Sequence, residues 1–245
     1  FIQLRFADRK GITANIRFSF LEQSLLDIVG TDRARLLDEE DLFFLFSTAL
    51  LKENPADWQL FSDYLGYADH PGRPGRLAGL ARSLIQAFRR LEYQRNDWLA
   101  ASLCQEAFDL PPSLPLPDSA TIQAELAFFR YALGELRLQL YPERKPLSSL
   151  LQEGLAQVSG QNRSLHLFGF SQVSRFHLAI LNHLKQSLDI SLYMLTPTNG
   201  TADRLAKTWS RPARENLELI TANLNPVETH LPQEAWSAPW APGLS

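Results

Sequence analysis

Near Gly160 the hydrophobic pattern of this chain leaves the helical period for a strand, helix, strand alternation, a unit that few folds accommodate. Ser164-Leu-His-Leu-Phe168 has the composition of a strand, Val173 to Ser187 has helical spacing, and Asp189-Ile-Ser-Leu-Tyr-Met-Leu195 is strand-like again before Thr196-Pro197. Two strands joined through a helix pair in parallel by a right-handed crossover, so this stretch predicts part of an α/β sheet. A helix over Arg211 to Asn223 follows, with Pro212 in its first turn.

Ahead of that unit, helices dominate. After a short strand at Phe1 to Phe6, Asp8-Arg9-Lys10-Gly11 reads as a turn and Ile12 to Ile16 as a second apolar piece. Asp38-Glu39-Glu40-Asp41 precedes Leu42-Phe43-Phe44-Leu45-Phe46, which puts carboxylates in a first helical turn where the dipole favours them. A metal site is the competing reading of that run. Between Arg76 and Gln94, apolar residues recur at Leu77, Leu80, Ala81, Leu84, Phe88 and Leu91, one buried face of a helix, with Arg82, Gln86 and Arg89 opposite. Further helices are expected at Asp97 to Phe108, Ser119 to Tyr141 and Leu147 to Val158, with Leu110 to Pro117 as a stiff connector. Asn225 to Ser245 carries four prolines and reads as an irregular tail.

The 245 residues are 45% hydrophobic, enough to bury a large core, and carry 24 Lys plus Arg against 27 Asp plus Glu. With a net charge of -3, a surface for nucleic acid has to come from local clustering. Cys104 stands alone, which excludes an intramolecular disulfide and a four-cysteine metal site and fits a reducing cytoplasm with the thiol in a core. The apolar run Leu42 to Leu51 is about half the length that spans a bilayer, so no membrane partner is expected. The chain opens at Phe1 inside an apolar stretch, without a signal peptide, and reads as an excised piece.

Five segments, in order, resemble the gamma subunit of exodeoxyribonuclease V (RecC), a family among the superfamily 1 helicase relatives. They are Gly11-Ile-Thr-Ala-Asn-Ile16 with the aromatic stretch after it; Leu77-Ala-Gly-Leu-Ala81 through Phe88 to Arg95-Asn-Asp-Trp-Leu99; Leu165-His-Leu-Phe-Gly-Phe-Ser171; Ile190-Ser-Leu-Tyr-Met-Leu-Thr-Pro-Thr-Asn199; and Leu205-Ala-Lys-Thr-Trp-Ser210 with Arg214 and Leu217. One departure is Gln94-Arg95-Asn96-Asp97 before Trp98, where the family has Tyr-Arg-Pro. The resemblance implies a helicase-like fold whose first strands and phosphate loop precede Phe1. It also implies a helicase and nuclease complex for double-strand break repair and recombination, in which the beta and alpha subunits hydrolyse ATP and cut DNA.

Motor chemistry is missing from the motifs that the chain contains. A phosphate-binding loop needs Gly-Lys-Ser/Thr, and none of Lys10, Lys52, Lys145, Lys185 and Lys207 follows a glycine. His70-Pro-Gly-Arg-Pro-Gly-Arg76 is glycine-rich but has no lysine, and reads as a loop. The acidic pair that would hold magnesium after the first strand is replaced by Gly169 and Phe170, and the loop with Thr196 and Asn199 supplies no charge after the second. These four are degenerate motor positions, and the chain is expected to have no ATPase activity and no cofactor. Gly169-Phe170-Ser171-Gln172-Val173 resembles a nucleophile elbow, so an α/β-hydrolase using Ser171 with Asp189 or Asp203 and His230 is a remote alternative. The fifth position is Val173 where that motif has glycine, and Ser171 reads more simply as a turn or cap residue. His166, His177 and His183 lack the spacing of a zinc site.

Arg73 to Arg95 holds six arginines against the single Glu92, and Arg5, Arg9, Lys10 and Arg17 form a second basic group. Arg82, Arg89 and Arg90, with Arg9 and Lys10, are therefore the candidates for contact with DNA, as double-strand ends or single strands, or with another subunit. The expected architecture is predominantly helical α/β. Residues 1–30 and 160–224 form a truncated P-loop helicase-like parallel sheet core, 31–159 a large helical insertion, and 225–245 the tail. A helical adaptor without DNA binding is the alternative function.

Overall fold

The computed structural model describes residues 19–52, 58–103, 119–158, 164–168, 173–193 and 211–224. Expectations for Phe1 to Ile16, Cys104, Leu110 to Pro117, Ser171, Leu205 to Ser210 and the tail with His230 fall outside those residues. The order of elements is α1 (Leu21–Ile28), α2 (Glu39–Leu51), α3 (Gln59–Leu65), α4 (Arg73–Gln94), α5 (Asn96–Leu103), α6 (Ser119–Phe129), a π-helical segment (Arg130–Leu136), α7 (Arg137–Leu140), α8 (Leu147–Leu155), β1 (Ser164–Phe168), α9 (Arg175–Leu184), β2 (Asp189–Tyr193) and α10 (Arg211–Leu224). The fold is predominantly helical with a small parallel sheet of β1 and β2, in the register Ser164 to Asp189 through Phe168 to Tyr193.

Local chemistry explains where several elements begin and end. The acidic run starts α2 through a capping box, in which Asp41 N–H donates to Asp38 Oδ1 at 2.8 Å and Asp38 N–H to Asp41 Oδ2 at 3.3 Å. Asp41 also pairs with Arg144, so the run serves the helix terminus. Among the described residues there is no cluster of His, Cys, Asp or Glu able to hold a metal. The glycine-rich segment departs from its loop expectation over half its length, because Arg73 to Arg76 already form the first turn of α4, with Pro74 where a helix start accepts it. Gly30 ends α1 at φ +68°, a conformation that costs other residues roughly 1–2 kcal/mol.

The long helix that starts at Ser119 is continuous but irregular. Over Arg130–Leu136 it widens to a π-helix, and Arg137 N–H reaches back five residues to Ala132 O. Arg137 Nε then donates to Leu133 O at 2.9 Å and its Nη1 to Arg144 O at 2.9 Å, filling acceptors at the helix end.

Two hydrophobic clusters organise these elements. The first gathers α2, α3, α4 and the long helix around Phe46, Phe88, Phe128 and Phe129, all fully buried. Most of their contacts are edge to face, as for Phe46 and Phe128 at 5.3 Å and 80°, and Phe61 meets Phe128 in the same way at 5.8 Å and 83°. The second is aliphatic, with Leu165 and Leu167 of β1 covered by Phe176, Ile180, Leu181 and Leu184 of α9 and by Ile220 and Leu224 of α10. Helix α8, the last of the helical stretch in sequence, packs in this second cluster through Leu147, Leu150 and Leu151, beside Leu25 and Leu26 of α1. Gly154 lets that contact close, since a Cβ there would lie 2.5 Å from Val29 Cβ.

Candidate functional site

Helix α4 carries the arginine cluster and touches both hydrophobic clusters. At 3.6 residues per turn, its buried residues Ala81, Leu84, Ile85, Phe88 and Glu92 fall on one arc. Apart from Pro74 in its first turn, its exposed positions fall on the opposite arc: Gly75, Arg76, Gly79, Arg82, Ser83, Gln86, Arg90 and Gln94. No carboxylate occupies that exposed arc, and Glu92, the one acid in the helix, is inside. The face is therefore locally cationic on a chain whose net charge is negative.

Three of the five basic residues singled out from sequence can be placed. Arg82 and Arg90 are exposed. The Arg82 guanidinium lies 5.6 Å from the Phe43 ring centroid, and Arg90 is the charge that bears on half-buried Glu125. Burial raises the Glu125 carboxyl above its ordinary range, and Arg90 pulls it back in the smaller measure. Arg89 corrects the expectation of three outward arginines. Its side chain is 26% exposed, and its Nη1 donates to Glu92 Oε2 at 2.7 Å. The cause is Glu92, which is fully buried one turn further on and requires a cation beside it.

Arg76, which is not among the sequence candidates, joins the face. It stands 14 residues before Arg90, close to four whole turns, so the two project on the same side about 21 Å apart along the axis. That spacing is the signal the sequence offers for it. Arg9 and Lys10, together with the motor positions Gly169, Phe170, Thr196 and Asn199, lie outside the described residues.

The end of α4 is built differently from its arginine face. Helix α8 begins after Pro146, which has no side-chain acceptor for its first amides, and Glu92 Oε1 fills that role by accepting Ser148 N–H at 2.9 Å. The next residue, Tyr93, donates to Glu22 Oε1 of α1 at 2.5 Å and stacks on the His177 ring of α9, with centroids 5.4 Å apart. Burial, then the Glu22 carboxylate, pushes the Tyr93 phenol well above its ordinary value, so it stays protonated as the donor. His177 Nδ1 lies 2.8 Å from Ser174 Oγ, and Ser174 caps α9 by accepting His177 N–H at 3.2 Å. This serine and histidine contact is thus a helix cap.

The carboxyl ends of the two strands present Phe168 and Tyr193, stacked 4.3 Å apart at 6° and about half exposed, with His166 Nδ1 3.2 Å from the Tyr193 hydroxyl. No helix among the described residues is long and apolar enough to cross a membrane.

No curated protein and no solved structure matches this chain. The family model described as "RecC, N-terminal domain" matches residues 1–226, all but the tail. The five ordered segments and this match over nearly the whole length agree, and the chain belongs to the RecC family.

Proposed function

We propose that this chain is the N-terminal part of the gamma subunit of exodeoxyribonuclease V and that it grips DNA through the exposed face of α4. The observation that carries the reading is the acid-free arc with Arg76, Arg82 and Arg90, set on a helix anchored at its far end. Guanidinium groups in a row suit phosphates, whose contact supplies affinity without sequence information. The reading assigns grip and scaffolding to this chain, at double-strand ends or on single strands. Hydrolysis of ATP and cleavage of DNA go to the beta and alpha subunits.

Gly169 and Phe170, with Thr196 and Asn199, at the two motor positions that the chain contains support a core that has lost its own ATPase chemistry. In this reading residues 1–30 and 160–224 derive from a P-loop motor, 31–159 are its helical insertion with α8 docked on the core, and 225–245 are a tail. The location would be the cytoplasm, with no membrane.

Fluorescence anisotropy with forked DNA over a salt series tests the proposal. The expected result is binding that weakens steeply with salt, together with no magnesium-dependent ATP turnover. Binding absent at low salt in both the isolated chain and the assembled complex's gamma subunit would favour a protein-interaction adaptor.

A further inference from the structure

The joint between the two hydrophobic clusters combines groups that hold together in only one protonation state. Two consecutive residues of α4, Glu92 and Tyr93, reach three elements of the sheet cluster: α8 through Ser148 N–H, α1 through Glu22, and α9 through His177. Glu92 uses both carboxylate oxygens as acceptors, one for Arg89 and one for the α8 amide, and a proton on either would displace one of those bonds. Glu22 likewise accepts from Tyr93.

His177 makes the opposite demand. Ser174 Oγ accepts the His177 backbone N–H and lies 2.8 Å from Nδ1, so in either neutral tautomer the ring bonds Ser174 at Nδ1, as acceptor of the hydroxyl proton or as donor to its oxygen. That Nε2 is buried and has no hydrogen-bond partner among the described residues. An imidazolium would carry its charge with only one of its two N–H groups satisfied, against the rings of Tyr93 and Phe176. Burial accordingly lowers the His177 value, opposed more weakly by Glu22 on α1 and Glu92 on α4. On the elements packed against α9, Arg89 of α4 is held by Glu92 while Arg76, Arg82 and Arg90 are on its exposed arc, Glu153 of α8 pairs with Arg35 and Lys145, and Glu215 and Glu218 of α10 are exposed.

We propose that this joint is a proton-operated latch, in which neutral His177 seats Tyr93 and thereby α4 on the sheet cluster, and uptake of a proton by the joint releases the seat. The proton goes to the ring nitrogen that is bare in the neutral tautomer, and in the imidazolium Nδ1–H donates to Ser174 Oγ while Nε2–H has no acceptor among the described residues. The latch would set how rigidly the arginine face is held relative to the sheet, whatever partner that face meets, so it does not depend on the DNA reading.

Hydrogen exchange on the whole chain, corrected for intrinsic rates, at about pH 7.5 and about pH 5.5 brackets the ordinary histidine value and tests the latch. The expected result is an approximately tenfold loss of protection at Ser148 to Leu151 and across α9 at the lower pH, with Leu84 to Phe88 unchanged. His177→Phe keeps a ring against Tyr93 and cannot take the proton, so its protection should be equal at the two pH values. Unchanged protection in the unaltered chain, or the same loss in His177→Phe, overturns the proposal. Should the variant fail to fold, NMR titration of the unaltered chain decides: the His177 ring must titrate with the same midpoint as the opening, and separate midpoints contradict the latch.

Discussion

The two hydrophobic clusters solve the same problem with different materials. The helical one is aromatic, with Phe46 in edge or tilted contact with Phe88, Phe128 and Phe129, while the sheet one is almost wholly Leu, Ile and Val around two short strands. Ring geometry fixes the crossing of several helices through a few large side chains. The aliphatic cluster instead depends on close approach, as at Gly154 against Val29, and on polar fastening at its border with α4. The helical cluster should therefore fail at single large residues, and the sheet cluster at its seams.

The largest effect should come from Phe46→Ala, which removes a fully buried ring shared by three neighbours and is expected to cost about 3–5 kcal/mol in chemical denaturation. A loss below about 1 kcal/mol would show that the ring network does not dominate that cluster. Next, Glu92→Ala leaves Ser148 N–H without its acceptor and Arg89 without its partner. Because Arg89 reaches water, the expected loss is about 2–3 kcal/mol, short of the value for a fully enclosed pair. Gly154→Ala gains helix propensity but drives a methyl into Val29, and the clash should win by about 1–3 kcal/mol in chemical denaturation.

The smallest effect concerns charge. Burial raises the Glu125 carboxyl in the folded state, so the folded chain binds that proton more tightly than the unfolded one. Its contribution to stability is full below the ordinary glutamate value and is lost as pH rises through the raised folded value. Glu125→Gln should remove that slope and melt slightly higher at neutral pH. A lower melting temperature would mean that its attraction to Arg90 outweighs its burial.

Local pattern makes much of the fold legible in the sequence. The strand, helix, strand unit, the capped start of α2 and the buried stripe of α4 all follow from period and end chemistry, which involve residues within a turn or two of one another. What stays hidden depends on distant partners. Arg89 has the sequence position of a surface arginine, and only the burial of Glu92 turns it inward. Tyr93 meets Glu22 across 71 positions, so nothing local announces the joint. The membership of α8 in the sheet cluster has the same origin, since Gly154 has meaning only once Val29 lies against it. Of the candidate face, the arginine cluster is legible, while Arg76 requires the whole-turn spacing to be followed beyond Arg82, Arg89 and Arg90.

Phosphate binding by the exposed arc of α4 is read from the salt dependence of DNA binding by Arg76→Ala/Arg82→Ala/Arg90→Ala. Removing one arginine from a phosphate should flatten the plot of log affinity against log salt by roughly 0.7 to 0.9, so the triple variant should show a slope shallower by about two to three units, with similar weakening on unrelated sequences. A variant that folds normally, binds forked DNA as tightly as the unaltered chain and keeps its slope would contradict the claim and leave the arc as a solvated face.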